Sequence, residues 1–588
     1  MLALGAGFIA CPAAELLHNE PSAFLRAHAG SRVDWMPWGP AAFARAKQEQ
    51  KPVYLAIGAF TSELSQAMMR QSFAHPETAA FLNAHFVCVL ADREERPDLA
   101  ALYQAYVSQV KQFSGWPLNL WLTPELAPFE GAAYLPPSEE WGKPSFMKVA
   151  QQAHTAWTGD PAGCRARGVE AAATLSAPPP AVTAAAPEKT KGRLAAAAEA
   201  WRAQHDAEHG GFGGPSKNPE PELLRFLLRQ SPADRSAALA TLRTIAASAL
   251  RDPLDGGFFT YATDAAWRIP SQQKFLAGQA RLALAYLDAA QGDDAKAFTA
   301  AARGALDYAL NRLARPDGTF AAAEDATAEE FAGYYAWTAA EIDAALGKEA
   351  DAFKQAHGVQ PAGNVSAEDD LSGRLKDKNL LRSTRMADAA DGAAAARLLA
   401  VRASRPAPPL DDRATAGTHG LLLAALARLG SLPGETRYLN AAGRLFAAVQ
   451  KELMLSPGGD LRHQRGSAVA AGPADYTGLA LGCREFARAA RHAQAEALAA
   501  RLLERAGQLF FAAPSGRYHA TAAELPPGIF VRPLAGGDVP SAESLALLAG
   551  APKEQAQAMA AALSASLDET AAPASGEVLL ALALFPSN

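Results

Sequence analysis

The sequence of 588 residues predicts an α/β domain followed by an all-α domain built from helical hairpins. Short apolar segments alternate with helical segments before residue 170, a pattern typical of a sheet covered by helices. After residue 199 almost every segment has helical periodicity, interrupted by recurrent glycine turns. The stretch 171–198 is rich in proline and alanine and predicts a linker. We therefore place the domains at 1–170 and 199–588.

The first domain is expected to contain a sheet, because three short runs are rich in strand-forming apolar residues. These runs are 52–57, 86–91 and 117–122. Helical stretches are predicted between them, at 40–50, 62–84 and 97–112. Strands and helices that alternate in this way favour an α/β sheet with helices packed on it.

The second domain carries a repeated turn in which glycine precedes an aromatic residue or leucine. The turns are at 210–214, 255–259, 317–320, 458–461 and 515–518. They are about 45–65 residues apart, with one wider gap of about 140, and a helix pair plus a short turn fits that period. Hairpins repeated in this way predict a closed (α/α)6 toroid, with an open helical solenoid as the alternative.

Composition excludes several classes of protein. The net charge is −6 and the basic residues are scattered, so no basic patch indicates nucleic-acid binding. No apolar run reaches the roughly 18 residues of a membrane span. The four cysteines lie far apart without a CxxC pair, which predicts buried free thiols rather than a zinc site or a disulfide framework. They are Cys11, Cys88, Cys164 and Cys483.

The N-terminal segment 1–11 is apolar and ends at Cys11 in FIAC, which loosely resembles a lipoprotein cleavage site. It lacks the basic region that opens a secretory signal, and its apolar stretch is short. We expect a cytoplasmic protein, with export or lipid anchoring through Cys11 as the alternative.

Three segments of the first domain carry a family resemblance: 33–39 (VDWMPWG), 91–98 (ADREERPD) and 115–124 (GWPLNLWLTP). In order and spacing they resemble the signatures of the thioredoxin-like family typified by spermatogenesis-associated protein 20. The resemblance continues in the second domain, at 210–213, 267–274, 323–326, 333–338, 410–412, 475–476 and 531–533. It implies a thioredoxin-like domain joined to a six-hairpin, glycosidase-like toroid similar to sugar 2-epimerases.

The chain departs from this family at the thioredoxin motif. The family usually carries Cys-His-Trp-Cys-His, whereas residues 62–66 read SELSQ, so Ser62 and Ser65 replace both cysteines. Thiol–disulfide exchange needs a thiolate, which a serine hydroxyl does not supply. We predict a degenerate redox site in which Ser62 is a helix N-cap. The resemblance places Pro117 beside it as a cis-proline.

The toroid shows similar departures. The family usually has Pro-His-Phe-Glu-Lys-Met-Leu-Tyr-Asp-Asn where residues 270–279 read PSQQKFLAGQ, so a histidine and two acids are replaced. The usual Thr-Ala-Trp-Asn-Gly is AGTHG at 416–420, and Ala474 stands where the family has an acid. These losses predict that the ancestral activity is lost or changed.

Three acids remain as candidate catalytic residues: Glu324, Asp325 and Asp475. Glycosidases use two carboxylates that face each other across the scissile bond. Asp325 and Asp475 come from different hairpins and are the favoured pair, although caps or surface groups are the structural alternative. Four histidines near the glycine turns are expected to be loop hydrogen-bonders: His209, His419, His463 and His519.

Binding residues are predicted among aromatic and charged side chains near the turns, because flat rings suit the apolar faces of sugars. They are Trp267, Tyr335, Trp337, Asp412, Tyr476 and Arg532. Ordinary core packing is the alternative for the rings. No metal-binding or nucleotide-binding motif occurs, so we expect neither a metal nor another cofactor.

The sequence therefore predicts a redox-inactive protein whose toroid binds, or also processes, a carbohydrate-like small molecule. If the toroid is an enzyme, an epimerase- or glycosidase-like activity is expected. The alternative is a catalytically silent scaffold that binds a protein partner through the thioredoxin-like face.

Overall fold

The computed structural model describes residues 16–112, 115–176, 187–331, 333–370, 373–383, 392–529, 531–535, 541–567 and 575–585. The chain divides into two compact units. The first unit comprises Met1–Pro179, Gly466–Gly472 and His519–Gly537, and the second comprises Pro180–Arg465, Pro473–Tyr518 and Asp538–Asn588. Cys11 and its preceding segment lie outside the described residues, as does 177–186 of the predicted linker.

A five-stranded mixed sheet forms the centre of the first unit. Its strands are β1 (Met36–Pro37), β2 (Val53–Gly58), β3 (Val87–Asp92), β4 (Leu118–Leu122) and β5 (Pro128–Ala132), in the order β1-β3-β2-β4-β5. β1 and β2 run parallel to β3, whereas β4 is antiparallel to β2 and to β5. The three strands predicted from the sequence are confirmed.

Helices cover both faces of this sheet. They are α1 (Ala23–Ala27), α2 (Pro40–Glu49), α3 (Glu63–Arg70), α4 (Pro76–His85), α5 (Pro97–Ala105), α6 (Phe146–Gly159) and α7 (Pro161–Leu175). Side chains alternate between the faces, so Tyr54 joins one apolar cluster and its neighbour Leu55 joins the other. The helix predicted over 62–84 is two helices, because Pro76 opens a new first turn.

Two later segments complete the first unit. Ile529 and Val531 belong to one of its apolar clusters, and the indole N–H of Trp38 donates to the carbonyl of Pro527 at 3.3 Å. Ser467 donates to Glu95 at 3.0 Å. The predicted boundary at residue 170 therefore differs from the observed division. The predicted linker is also helical at its start and end, because α7 reaches Leu175 and the next helix begins at Pro187.

The second unit is mainly helical. Its helices are α8 (Pro187–Arg202), α9 (Pro221–Leu227), α10 (Pro232–Ala247), α11 (Leu276–Ala289), α12 (Ala295–Tyr308), α13 (Ala339–Leu346), α14 (Ala350–Ala356), α15 (Gly392–Arg402), α16 (Ala416–Gly430), α17 (Thr436–Glu452), α18 (Pro473–Ala490), α19 (Ala493–Phe510), α20 (Ala542–Ala549), α21 (Lys553–Ser566) and α22 (Gly576–Leu584). Short strands lie in its loops: β6 (Gln273–Phe275), β7 (Ala323–Asp325), β8 (Ala336–Trp337), β9 (Asn379–Leu380), β10 (Leu410–Asp411), β11 (Phe511–Ala512) and β12 (Arg517–Tyr518).

Six of these helices form a closed inner ring. In order they are α9, α11, α16, α18, α20 and α22; each contacts the next, and α22 contacts α9. The hairpin partners α8, α10, α12, α17, α19 and α21 alternate with them along the chain and form the outer layer. The (α/α)6 toroid is therefore confirmed, and the open solenoid is wrong because the ring closes.

The repeated glycine turns close small antiparallel bridges after five of the outer helices. The bridged pairs are His205 with Phe212, Arg251 with Phe258, Ala314 with Phe320, Met454 with Leu461, and Phe511 with Tyr518. Gly256 and Gly318 have φ values of 80° and 84°, in the left-handed region that glycine adopts at no steric cost. The wider gap between turns contains the additional helices α13, α14 and α15.

The inner helices all begin at the same end of the ring. The loops of the second unit that precede them, including the glycine turns near which the sequence predicted binding residues, therefore lie at that end. In the part of the chain that the structure describes, no helix is long and apolar enough to cross a bilayer. Cys88, Cys164 and Cys483 are buried free thiols, as predicted.

Candidate functional site

The degenerate redox site lies at the start of α3. Ser62 is the N-cap, as predicted, and its Oγ accepts a hydrogen bond from the backbone N–H of Ser65 at 3.2 Å. Ser65 is buried, and its own Oγ accepts from the N–H of Ala59 at 3.4 Å. Both hydroxyls are therefore used to bind the backbone.

The surroundings of this site keep the shape of a thioredoxin face. The Trp116–Pro117 peptide bond is cis, as the resemblance implied. The Arg93 guanidinium lies 5.1 Å above the Trp116 ring, and Leu64 is 44% exposed between the two serines. Cys88 supplies no substitute thiolate, because burial raises the pKa of its thiol well above the ordinary value.

A cluster of four charged side chains, three of them buried and one partly exposed, lies close to the start of the inner helix α11. We call Asp252, Asp255, Lys274 and Arg402 the lysine cluster. Lys274 Nζ donates to Asp252 at 3.0 Å and to both oxygens of Asp255 at 2.8 Å. Arg402 donates to Asp252 at 2.7 Å. Two cations thus balance two carboxylates, with Lys274 fully buried.

Aromatic rings enclose the lysine cluster. Lys274 Nζ lies 4.5 Å from the Tyr335 ring centroid, 4.6 Å from that of Tyr308 and 4.7 Å from that of Phe259. The Arg402 guanidinium lies 4.9 Å from the same Tyr335 ring. The negative faces of these rings stabilise the two buried cations.

Burial and charge give the two aspartates of the cluster different pKa values. Burial raises the pKa of both carboxyls, but Arg402 and Lys274 outweigh it at Asp252 and hold that pKa well below its usual range. At Asp255, burial together with the neighbouring Asp252 raises the pKa to about 6. Of the two aspartates, Asp255 is therefore the one that is protonated first as the pH falls.

A cavity of about 10 Å³ borders the cluster, with Asp252, Phe259, Tyr335 and Leu380 among its lining residues. This volume is close to that of one water molecule. This cavity therefore has room for one water molecule and not for a sugar.

Two of the predicted acids lie on β7. Glu324 is buried, pairs with Arg312, and accepts a hydrogen bond from the Tyr335 hydroxyl. Asp325 is also buried and accepts from the backbone N–H of Thr327 at 2.9 Å. The structure therefore brings Glu324 together with Tyr335, which the sequence named separately as a binding residue.

The third predicted acid, Asp475, lies in the first turn of α18. One of its oxygens is 2.7 Å from His463 Nδ1, and the other accepts from the N–H of Gly417 at 3.1 Å. The neighbouring Tyr476 is buried, and its hydroxyl oxygen accepts from the N–H of Leu461 at 3.3 Å. His463, expected only as a loop hydrogen-bonder, is thus the polar partner of Asp475.

The other predicted binding residues are dispersed. Trp267 and Trp337 are fully buried, with Trp267 donating to the carbonyl of Gly210 at 3.4 Å. Asp412 lies 3.8 Å from Arg315 in a weak ion pair. Arg532 belongs to the first unit, where it donates to the carbonyl of Thr521 at 2.9 Å, so it is not part of the toroid unit.

Sequence reasoning missed the lysine cluster. Asp255 stands in one of the repeated turns, and Lys274 is the charged residue that survives in the eroded segment 270–279. These two signals could have been combined. Arg402 follows Asp252 by 150 residues, and no local pattern links them. Within the described ranges, no group of three or more histidine, cysteine or acidic side chains is placed to hold a metal ion.

Comparison with known proteins agrees with this description. A family model named Thioredox_DsbH, described as a protein of unknown function (DUF255), matches residues 14–176. Human spermatogenesis-associated protein 20 is 29% identical over 579 residues, 88% of this chain and 72% of the human protein. The chain is therefore similar to the thioredoxin-like family that this protein typifies. A Caenorhabditis elegans protein, B0495.5, is 29% identical and covers 76% of this chain and 66% of its own length.

Solved structures similar to this chain carry sugar-related names. Cellobiose 2-epimerase from Bacillus thermoamylovorans B4167 has a TM-score of 0.41 at 8% identity, over 64% of this chain and 85% of the epimerase. Unsaturated glucuronyl hydrolase from Bacillus sp. GL1 has a TM-score of 0.33 at 10% identity, over 67% of this chain and 82% of the hydrolase. Neither likeness bears on the activity of this chain.

Proposed function

We propose that this chain is a redox-inactive member of its family whose toroid binds a carbohydrate-like small molecule. The observation that carries the proposal is the lysine cluster, which combines Asp255, Lys274 and aromatic rings at the end of the ring where the inner helices begin. The cavity beside the cluster has room for about one water molecule, so the proposal places the sugar against Asp255, whose side chain is 20% exposed. Ligand sites typically combine apolar or aromatic walls with a few converging polar groups. Ring faces and charged groups in this combination suit the faces and hydroxyls of a sugar.

Binding without turnover fits the ion pairing of the acidic side chains in and beside the lysine cluster. Glycoside cleavage needs one carboxyl to give a proton and a second to act as base or nucleophile. Asp255, with its raised pKa, suits the first role. Asp252 and Glu324 are held in ion pairs with Arg402 and Arg312, and this engagement favours a binding role over that of base or nucleophile.

Calorimetry with a panel of monosaccharides and disaccharides tests this proposal. We expect at least one sugar to bind with millimolar or better affinity, and Asp255→Asn to weaken its binding. Asp351→Asn is the matched control, because the Asp351 side chain is 96% exposed on α14. If no sugar binds, or if Asp255→Asn binds as tightly as the control variant, the proposal is wrong.

A second candidate function is the binding of a protein partner at the degenerate redox site. Leu64 favours it, since this apolar side chain is 44% exposed beside Ser62. Quantitative cross-linking of the wild type and Leu64→Glu, with Leu455→Glu as the exposed-leucine control, tests it. We expect one defined partner to be lost in Leu64→Glu alone. Equal cross-linking in both variants would refute it.

A further inference from the structure

A cavity of about 640 Å³ lies at the end of the ring where the inner helices finish. Every inner helix contributes a residue from its last turns, so the cavity lies on the axis of the ring. One residue from each is Arg225 (α9), Asp288 (α11), Arg428 (α16), Arg488 (α18), Leu547 (α20) and Leu584 (α22). We call this space the arginine cavity. It lies at the opposite end of the inner helices from the lysine cluster.

The lining of the arginine cavity is strongly basic. Five arginines face two carboxylates, which leaves a formal charge of five minus two, or +3. The arginines are Arg225, Arg229, Arg428, Arg488 and Arg491, and the acids are Asp288 and Glu485. The whole chain has a net charge of −6, so this concentration of positive charge is local.

Three of the arginines converge on one carboxylate. Asp288 accepts from Arg225 and Arg229 at 2.8 Å each and from Arg428 at 2.5 Å. Burial favours the neutral acid, but the three guanidinium groups outweigh it and hold the pKa of Asp288 well below its usual range. The carboxylate is therefore charged at any physiological pH, and it positions three cations around the cavity.

The arginines do more than cap helices. Cations stabilise helix C-termini through the partial negative charge of the last carbonyls. Here, however, Arg225 and Arg428 bond to Asp288. Among the described residues, Arg229 is the one of these three arginines that also donates to a carbonyl, that of Arg225 at 2.5 Å. Each guanidinium has five N–H donors, so Arg225 and Arg428 keep donors with no protein acceptor in the described part of the chain.

We propose that the arginine cavity binds a small phosphorylated molecule. A guanidinium pairs with phosphate through two parallel hydrogen bonds, and several guanidinium groups match the charge of a dianion. The cavity volume lies within the range of about 300–1,000 Å³ found for small-molecule sites. Leu284, Leu481 and Leu547 supply an apolar wall for the organic part of the ligand.

Calorimetry on the full chain at low ionic strength tests this site with tripolyphosphate, glycerol phosphate and glycerol. We expect both phosphates to bind and glycerol to give no heat of binding. Added salt should weaken the binding of both phosphates. Arg428→Gln should weaken glycerol phosphate binding about tenfold, since a charge-assisted hydrogen bond is lost. Arg491→Gln should weaken it in the same direction. Arg444→Gln, an exposed arginine on α17, should bind as the wild type does.

Two results would overturn the proposal. The first is the absence of binding by both phosphates. The second is binding by Arg491→Gln that equals that of Arg444→Gln. Arg491 is exposed and makes no ion pair among the described residues, so its substitution preserves the Asp288 contacts and the fold. The Arg491→Gln variant therefore tests phosphate binding in the arginine cavity even if Arg428→Gln does not fold.

Discussion

The hydroxyl of Ser62 accepts a hydrogen bond from the backbone N–H of Ser65 at 3.2 Å, and these are the two positions where the family pattern has cysteines. The bond satisfies one of the amide donors that a helix leaves free in its first turn. Loss of the redox pair has therefore left a local structural role for the first residue of the motif.

This geometry predicts the cost of removing the cap. Ser62→Ala should lower the free energy of unfolding by about 1 kcal/mol, because the first turn of α3 loses its side-chain acceptor. Ser62→Asn should keep most of the stability, since asparagine caps as well as serine does. Urea unfolding followed by tryptophan fluorescence measures both. Equal stability of the two variants would contradict the capping role.

A second prediction concerns redox activity. The purified protein should not reduce insulin disulfides above a control without protein, because Ser62 and Ser65 supply no thiolate. The double variant Ser62→Cys with Ser65→Cys should remain weak, since Glu63 places an anion beside the new nucleophile. Adding Glu63→Ala should raise its activity. A double variant with a thiol pKa far below the ordinary value, measured by thiolate absorbance, would contradict this.

A third prediction is a pH dependence of stability that arises from His419. Its Nδ1 lies 2.8 Å from the Thr415 carbonyl, and its Nε2 accepts from the N–H of Phe320 at 2.9 Å. The ring is therefore neutral, and burial lowers its pKa to about 4. The unfolded chain takes up this proton near pH 6.5, so the stabilisation is complete above that pH and is lost as the pH falls towards 4.

The shift corresponds to about 3 kcal/mol across that pH range. Urea unfolding of the wild type and His419→Gln at several pH values should show a flatter profile for the variant. His209→Gln, at a side chain that is 37% exposed, is the control and should follow the wild type. Parallel profiles for wild type and His419→Gln would show that this histidine does not titrate on unfolding.

The buried charges of the lysine cluster give a fourth prediction. Lys274→Met leaves Asp252 and Asp255 with Arg402 as their remaining cation in the cluster, so the variant should lose roughly 3–5 kcal/mol of stability. Lys451→Met, at a lysine that is 76% exposed, should leave stability nearly unchanged. Thermal and urea unfolding compare the two. Equal stability would mean that the cluster is not held by Lys274.

Much of the fold follows from local patterns. The strands at β2, β3 and β4 were predictable because apolar residues on both faces of a buried sheet give continuous apolar runs. The toroid was predictable because the glycine turns recur at the spacing of one helix pair, and each of them closes a bridge after an outer helix. The domain boundaries were not, since the return of 519–537 to the first unit depends on contacts distant in sequence, such as Trp38 with Pro527.

The candidate site was less predictable for the same reason. Capping by Ser62 depends on residues within one turn, and it was foreseen. The lysine cluster depends on Arg402, which reaches Asp252 from a helix added between two repeats. Likewise, Asp475 was named, but its contact with His463 arises because the loop before α18 folds back on the first turn of that helix.

The fifth prediction tests the acids named from the sequence. Asp325 and Asp475 come from different hairpins. Asp325 ends β7, which precedes the inner helix α16, and Asp475 lies in the first turn of the inner helix α18, so both lie at the end of the ring where the inner helices begin. If the ligand is bound there, Asp325→Asn and Asp475→Asn should each weaken the binding of whichever sugar the calorimetric panel identifies. Asparagine has nearly the same shape as aspartate, so the hydrogen bonds from Thr327 and Gly417 to the side-chain oxygen are retained.

Circular dichroism and thermal unfolding should therefore show both variants folded, while their dissociation constants for the sugar rise severalfold. His463→Gln separates a direct role of Asp475 from one exerted through the histidine, because Asp475 keeps its bond to Gly417 in that variant. A direct role predicts weaker binding in Asp475→Asn and near wild-type binding in His463→Gln. Wild-type affinity in both aspartate variants would show that neither acid contacts the sugar, and the lysine cluster would then be the remaining candidate site.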